Sequence, residues 1–406
     1  MEKKIAVTGA SGTVGQMIVP RLAEAGLKLV VAGRDPERLR TLYPDHHTVG
    51  YGDLADQLDG CEAVLHLAVL NNDKGATEEE FRAVNVGFLA RVAEMARTAK
   101  VPLFINMTTI HALDEKTTDP YSVTKREGEA ALLRIEGLKT VSLRLPAVYG
   151  ERFSGRLSML EKLPGFLQYP ALKLAAAFRP VVDADHVAEA IVRLLDQPYD
   201  HEVLLADPHE NNPVYCAMNR TMDLAFAVTV GVFFFWVYAL AWLAVRLSSP
   251  GPAIFAQLRV GKDERVFTCY KFRTMRTGSP QAGTHEVCAS YITPVGMFLR
   301  KTKIDELPQI INILRGEMSL VGPRPCLPSQ TELLEWRRKL GVFQCRPGIT
   351  GLAQVEGFDM SRPERLARID ARYCTFRNLL WDLELIIATP FPKSHGKGRA
   401  QAKQQP

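Results

Sequence analysis

At 406 residues the chain is long enough for two domains that each bury a core. Its 47% apolar and 23% charged content is that of globular protein and excludes wholesale disorder. A net charge of only +5, with no basic run interleaved with aromatics, argues against nucleic acid as a partner. The seven cysteines, at 61, 216, 269, 288, 326, 345 and 374, form no CxxC pair and read as reduced thiols rather than metal ligands. The N-terminus, MEKKIAVTGASG, has no long apolar core before a cleavage site, so no secretory signal is expected and the first half is expected in the cytoplasm.

Residues 1–210 alternate short apolar runs with amphipathic stretches. The strand candidates are IAVTG, KLVVAG, AVLHLA, LFINMTT and TVSLRL, with helical pieces such as VGQMIVPRLAEAG between them. This alternation predicts an α/β fold with a doubly wound, mostly parallel sheet. Strand IAVTG runs into GASGTVG, which places Gly9, Gly12 and Gly15 at a strand-to-helix turn. Glycine suits a tight turn whose backbone approaches a pyrophosphate at a helix N-terminus, so NAD or NADP is the expected cofactor. The second strand ends at VAGRDPERL, where a carboxylate suits the ribose hydroxyls of NAD and an arginine the 2′-phosphate of NADP. Arg34 precedes Asp35, which favours NADP; the alternative is that Arg34 is a solvated loop residue. Asp53, in YGDLAD, either reaches the adenine or caps a helix. Tyr121 and Lys125, in YSVTK, share one helix face, where a nearby ammonium would stabilise a phenolate for proton transfer with a sugar. Thr108 and Thr109 end the preceding strand and could bind the same oxygen.

The Gly loop, HLA at 66–68, VNVG around Asn85, YSVTK and RLPAVYG together resemble the extended short-chain dehydrogenases that act on nucleotide sugars. The resemblance implies a catalytic set of Thr109 (or Thr108), Tyr121 and Lys125, with Arg179 in FRPVVDADHVAEAI contacting a nucleotide diphosphate. The stretch between Thr109 and Tyr121 is short and the lobe after Gly150 small, which leaves 4-ketoreduction, 4-epimerisation and a non-catalytic nucleotide-binding module all open; ketoreduction is slightly favoured.

The segment 211–218 is expected to be a linker, followed by a membrane segment over 219–248. Leu224 to Val245 is uncharged and reaches the roughly 20 apolar residues that a bilayer span needs. Cationic residues flank it on both sides, Arg220 before and Arg246, Arg259 and Lys262 after, so both ends are expected in the cytoplasm. The helix is therefore expected to be re-entrant, bent between Gly231 and Trp236, with freed backbone groups partnered inside the protein or at hydroxyls such as Thr229.

Residues 249–390 carry KDERVFTCYKFRTM, FLRKTKIDELPQIINILRGEMSLVGPRP and RPGITGLAQVEG in order. Asp305 and Glu306 are adjacent carboxylates after Arg300, Lys301 and Lys303, a basic run expected to hold Asp305 ionised as a nucleophile. Phosphoryl transfer calls for a divalent cation and cationic clamps. These motifs resemble the monotopic phosphoglycosyl transferases of bacterial glycan assembly, a small mixed α/β domain beside a re-entrant helix. That resemblance implies attack by Asp305 on the β-phosphate of a UDP-sugar with release of UMP, then transfer to a polyprenyl (undecaprenyl) phosphate. It implies Mg²⁺ held by Asp305 and Glu306, and phosphate binding by Lys271, Arg300, Arg324 and Arg346. In the family a Ser-Pro pair bends the membrane helix; here the matching positions are Phe235 and Trp236. The implied location is monotopic, in membrane lipid at the cytoplasmic face of the bacterial inner membrane, and a homodimer is left open. The basic tail, 391–406, is expected to be disordered and to favour anionic headgroups or simply solubility.

Overall fold

The computed structural model describes residues 3–71, 75–114, 116–197, 200–279 and 291–389, so the tail over 391–406 lies outside the described residues. The chain folds as two units, one of residues 1–176 and 180–208, the other of 177–179 and 209–406.

In the first unit, seven parallel strands form one sheet. They are β1 (Lys4–Thr8), β2 (Lys28–Gly33), β3 (His47–Gly50), β4 (Ala63–His66), β5 (Leu103–Thr109), β6 (Lys139–Leu145) and β9 (Glu202–Leu204). The short pair β7 (Ala147–Tyr149) and β8 (Val181–Asp183) lies outside it. The spatial order is β3-β2-β1-β4-β5-β6-β9. Strands covered on both faces read as continuous apolar runs, as β1, β2 and β4 do. Ile5, Val7, Leu65 and Ile105 face one core, and Ala6, Val64 and Phe104 the other. The order reverses between β1 and β4, so the crevice beyond their C-terminal ends is where such a sheet holds a ligand.

The second unit begins on an apolar helix. Of the expected linker 211–218, residues from Pro213 onward already belong to the helix Pro213–Phe233, capped by the Asn212 side chain on the Val214 and Tyr215 amides. A second helix, Phe235–Ser248, follows at 66°. No single helix among the described residues is long and apolar enough to cross a membrane, but this bent pair passes the test of length and composition together. The break at Phe234 falls inside the stretch Gly231 to Trp236. At the break the Trp236 indole N–H donates to the Phe233 carbonyl at 3.0 Å, a partner from within the protein. Val228, Val232 to Trp236, Leu240, Trp242, Leu243 and Leu247 are exposed.

The charges that bound the apolar run anchor it. Asp223, fully buried, accepts from Ser319 Oγ and the Leu320 amide at 2.9 and 2.8 Å. Arg220 donates to the Ile313 and Leu314 carbonyls, closing the C-terminus of the short helix Ile310–Leu314. On the far side, Arg273 donates to the Ser249 and Pro250 carbonyls and holds the turn after the second helix. The antiparallel hairpin of β10 (Ile254–Val260) and β11 (Val266–Phe272) and the parallel pair β12 (Ser319–Val321) and β13 (Gly348–Thr350) complete this mixed α/β unit.

Its most demanding buried charge is Arg337, which donates to Asp370 Oδ2 through Nη2 at 2.6 Å and Nε at 3.1 Å. Its Nη1 donates to the Arg324 carbonyl at 3.0 Å, so this ion pair also fixes the backbone of a candidate phosphate-binding residue. Arg337→Met should destabilise the unit by roughly 3–5 kcal/mol, because Asp370 is left charged and unpaired in the interior. Adding Asp370→Leu should recover much of that loss. Thermal unfolding of the solubilised chain reads both variants, and a single variant as stable as the parent would contradict the assignment.

Candidate functional site

Each unit brings a set of predicted residues together. In the first, β1 turns at Gly9, whose φ is +75° and where a Cβ would lie 2.4 Å from the Ala68 amide nitrogen. At Gly15 a Cβ would meet the Ala10 carbonyl at 2.5 Å. Both positions therefore require glycine. Gly12 is the N-cap of the helix Thr13–Glu24 and adds no side-chain cap, which leaves first-turn N–H groups to face an anion. This cradle fits the pyrophosphate of a dinucleotide.

Arg34 is exposed at the end of β2. Asp35 beside it is engaged, accepting from the Arg38 amide at 3.0 Å as N-cap of the helix Pro36–Leu42. Asp53 stands at the N-cap of the turn Leu54–Gln57 but makes no capping bond.

Asp119 caps the helix Pro120–Leu132 through Ser122, and Pro120 begins it, so Tyr121 and Lys125 sit on its first two turns. Burial pushes the Tyr121 phenol up to about 12, and Asp119 adds to the rise. Lys125 Nζ donates to the Met107 carbonyl at 3.0 Å, and burial draws the ammonium down to about 8. At neutral pH the tyrosine is a phenol, the form that donates a proton.

Of the two threonines, Thr108 donates to buried Glu129 at 2.6 Å. Thr109 accepts from the His111 amide at 3.3 Å, which keeps its own hydroxyl hydrogen for another acceptor. Arg179 is exposed, and its segment Ala177–Arg179 belongs with the second unit.

Two residues of this region were missed in the sequence, Glu129, one turn past Lys125, and Arg144, which holds it at 2.6 Å. Asn85, in a π-helical turn over Ala83–Phe88, accepts from the Leu70 amide and donates to Thr124 on the tyrosine's helix. Such turns commonly mark functional sites.

In the second unit Asp305 and Glu306 lie on the 3₁₀ turn Ile304–Gln309. Glu306 Oε1 accepts from Lys271 Nζ at 3.1 Å and from Arg324 Nη2 at 2.9 Å. Burial pushes the Glu306 carboxyl up, but the Arg324 and Lys271 charges outweigh it and hold it at about 2. Asp305 behaves oppositely. Burial and the Glu306 charge push its carboxyl up to about 6, against the pull of Lys271, Arg300 and Arg324. Of the basic run, Arg300 is among the main charges drawing Asp305 down, while Lys303 donates to the Thr389 carbonyl at 3.1 Å. Arg300 is fixed by donating to Thr274 Oγ1 at 2.8 Å. Arg346 is half-buried, and its charge is among those that draw the Asp223 carboxyl down.

A small cavity at this centre is lined by Arg259, Cys269, Lys271, Glu306, Gln309 and Arg324, with Pro325 and Gly348. Arg259, Cys269 and Gln309 were not singled out from the sequence. The signal was there: Gln257 and Arg259 alternate on β10 opposite Cys269 and Phe267 of β11, and Lys271 lies two residues beyond Cys269 on the same face. Asp305 and Glu306 fit Mg²⁺, an ion that takes one or two carboxylates and completes its shell with water and substrate phosphates. No third carboxylate, histidine or cysteine joins them among the described residues.

The family model of the NAD dependent epimerase/dehydratase family matches residues 5–204, and that of bacterial sugar transferase matches residues 214–394. A Caulobacter vibrioides protein, UDP-glucose:undecaprenyl-phosphate glucose-1-phosphate transferase, is 35% identical over 220 residues, covering 50% of this chain and 82% of its own. An Aeromonas hydrophila UDP-N-acetylgalactosamine-undecaprenyl-phosphate N-acetylgalactosaminephosphotransferase is 33% identical over 222 residues; the match spans 53% of this chain and only 52% of that relative. Among solved structures, the Bordetella bronchiseptica enzyme WbmG in complex with NAD is 22% identical, with a TM-score of 0.40 over 51% of this chain and 73% of its own. The chain belongs to the bacterial sugar transferase family through its C-terminal half, joined to an N-terminal domain of the NAD dependent epimerase/dehydratase family.

Proposed function

We propose that the chain is a bifunctional enzyme that remodels a sugar and commits it to a lipid carrier. The observation that carries the second activity is the pair of adjacent carboxylates with opposite shifts, Glu306 clamped by two cations and Asp305 left as the reactive group. An Asp305 oxygen attacks the β-phosphorus of a UDP-sugar, the bond from that phosphorus to the bridging oxygen breaks, and UMP leaves. An oxygen of polyprenyl (undecaprenyl) phosphate then attacks the same phosphorus and restores the Asp305 carboxylate. Lys271, Arg300 and Arg324 stabilise the phosphoryl oxygens through the transfer. Arg346, set toward Asp223, is left a supporting role at most. Mg²⁺, held by Asp305 and Glu306 with the donor's phosphates, would neutralise charge on the transferring group.

For the first unit we propose 4-ketoreduction of a nucleotide sugar. The nicotinamide, when bound, supplies the hydride. Tyr121, a phenol at neutral pH, gives its proton to the sugar's carbonyl oxygen, with Thr109 donating a hydrogen bond to that oxygen. Lys125 then stabilises the phenolate left behind. Asp35 is occupied as a helix cap, so Arg34 is the side chain left for the cofactor's ribose, which favours NADP. 4-Epimerisation with NAD is the second reading, favoured by the name of the matching family.

The exposed apolar residues around the bend are placed in one leaflet of the cytoplasmic face of the inner membrane, with both ends in the cytoplasm. Both active sites then meet UDP-sugars and nucleotide cofactors in the compartment that holds them.

Asp305→Asn should reduce UMP release by roughly 10³-fold or more, the scale expected on losing a covalent nucleophile. In the wild type, kcat/KM for the donor should fall tenfold per pH unit below the Asp305 pKa, which is raised to about 6 without Mg²⁺ and is drawn lower by bound Mg²⁺, because Asp305 must be deprotonated to attack. A near-normal Asn variant would sink the assignment. Separately, Tyr121→Phe should stop cofactor oxidation while leaving sugar-phosphate transfer from a preformed donor intact; joint loss in a folded protein would contradict two independent sites. For topology, exposed Cys216 and a cysteine introduced by Glu335→Cys should both resist an impermeant maleimide on intact cells and react after lysis. Labelling of either from outside would rule out the re-entrant arrangement.

A further inference from the structure

Arg259 lies on the inward face of β10, nine-tenths buried, in the wall of the cavity that Lys271, Glu306 and Arg324 also line. Its Nη1 donates to the Pro325 carbonyl at 2.9 Å and its Nη2 to Gln257 Oε1 at 2.6 Å. Both acceptors are neutral, and no carboxylate pairs with it among the described residues. Its Nε, also buried, has no hydrogen-bond partner among the described residues. The neighbourhood is cationic: Arg259, Lys271 and Arg324 surround the cavity, and Glu306 is the one carboxylate in its lining. Burial and the nearby Arg324 charge both work against the Arg259 guanidinium.

A guanidinium taken out of water without an anion is costly, and guanidinium geometry matches phosphate oxygens. The two positive charges left after Glu306 is counted match a phosphate dianion. The contact to Pro325 also ties Arg259 to the residue after Arg324, so the two guanidinium groups are held as a unit.

We propose that Arg259 is a phosphate-binding residue of the transferase site, its guanidinium meeting the phosphate oxygens of the ligand alongside Lys271 and Arg324. The assignment rests on the transferase reading above. The same chemistry is offered by two sources, the diphosphate of the nucleotide sugar and the phosphomonoester of the lipid acceptor.

The test uses the full chain in lipid nanodiscs, with Arg259→Gln and Arg259→Lys. KM for UDP-sugar, KM for polyprenyl phosphate, inhibition by UMP and by uridine, and thermal unfolding are measured together. Arg259→Gln should raise KM for one phosphate-bearing ligand roughly tenfold or more, the worth of a lost charge-assisted contact, with unfolding unchanged. A rise for UDP-sugar with weaker UMP inhibition identifies the nucleotide diphosphate; a rise for polyprenyl phosphate alone identifies the acceptor. Uridine, which has no phosphate, should inhibit both proteins alike. Arg259→Lys, which keeps the charge but not the guanidinium geometry or the span to Pro325, should restore part of the affinity. Both KM values and UMP inhibition within twofold of wild type in folded Arg259→Gln would overturn the proposal. Should the Gln variant fail to fold, the Lys variant decides: a loss confined to one phosphate-bearing ligand supports a phosphate contact, and an equal loss toward uridine in a folded protein overturns it. A wild type that neither releases UMP from any UDP-sugar nor is inhibited by UMP would instead defeat the transferase reading itself.

Discussion

The second unit is organised around one carboxylate that cannot be left alone. Glu306 sits inside the protein and takes Lys271 from β11 and Arg324 from the loop after β12, which draws three separate segments of chain to one point. Because buried charge must be paired, this contact sets where the hairpin, the 3₁₀ turn and the loop meet. It also decides the character of the neighbouring residue. The two closest cations are committed to Glu306, and Asp305 feels both their attraction and the Glu306 charge. Adjacent carboxylates are thus driven to opposite ends of their range, about 2 and about 6. Groups pushed apart in this way take different chemical roles. One is a fixed anion that arranges cations; the other is the group that the transferase reading proposed above makes the nucleophile.

The first unit meets a similar difficulty by another route. Lys125 is buried one turn from Glu129, but that carboxylate is already engaged by Arg144 and by Thr108. The ammonium falls back on a neutral acceptor, the Met107 carbonyl, and becomes easier to deprotonate. Tyr121 is buried too and stays protonated. In the ketoreduction proposed above, the Tyr121 phenol, one turn before Lys125 on the same helix, gives its proton to a carbonyl oxygen and the ammonium stabilises the anion left behind. Asn85 serves the same end mechanically, bracing Thr124 on the tyrosine's helix against the loop after β4.

The runs IAVTG, KLVVAG and LFINMTT were legible as strands because a doubly covered parallel strand is apolar throughout, and apolar runs are visible without context. Short β9, with the half-buried residues Glu202, Val203 and Leu204, is set by its pairing with β6 and carries little local signal. Tyr121, Lys125, Asp305 and Glu306 could be found because their spacing lies within one turn of helix. Glu129 and Arg144 could not, since one lies on a helix and the other on a strand. Arg259 was visible as a charge flanking the apolar run, yet a strand read with period two places it facing inward with Gln257. The acidity of Asp305 depends on burial, which no local run of basic residues reveals.

The apolar helix pair shows how a sharp bend arises without proline. Gly231 does not require glycine, for a Cβ there would make only an ordinary contact, 3.8 Å from Ile310 Cδ1. The break comes three residues later at Phe234, which leaves helical geometry with φ −113° and ψ 15°. A bend frees carbonyls, and lipid cannot accept that exposure, so each freed group needs a local donor. The Trp236 indole supplies one to Phe233. Indole is suited to this, since its ring stays apolar toward lipid while its single N–H turns inward. The apolar stretch before the break runs from Leu224 to Phe233, about 15 Å of helix, and that after it from Phe235 to Val245, about 16 Å. Each arm is about half as long as a hydrocarbon core of roughly 30 Å is thick. Two such arms, with Arg220 at one outer end and Arg246 at the other, have the length that the single-leaflet placement proposed above requires.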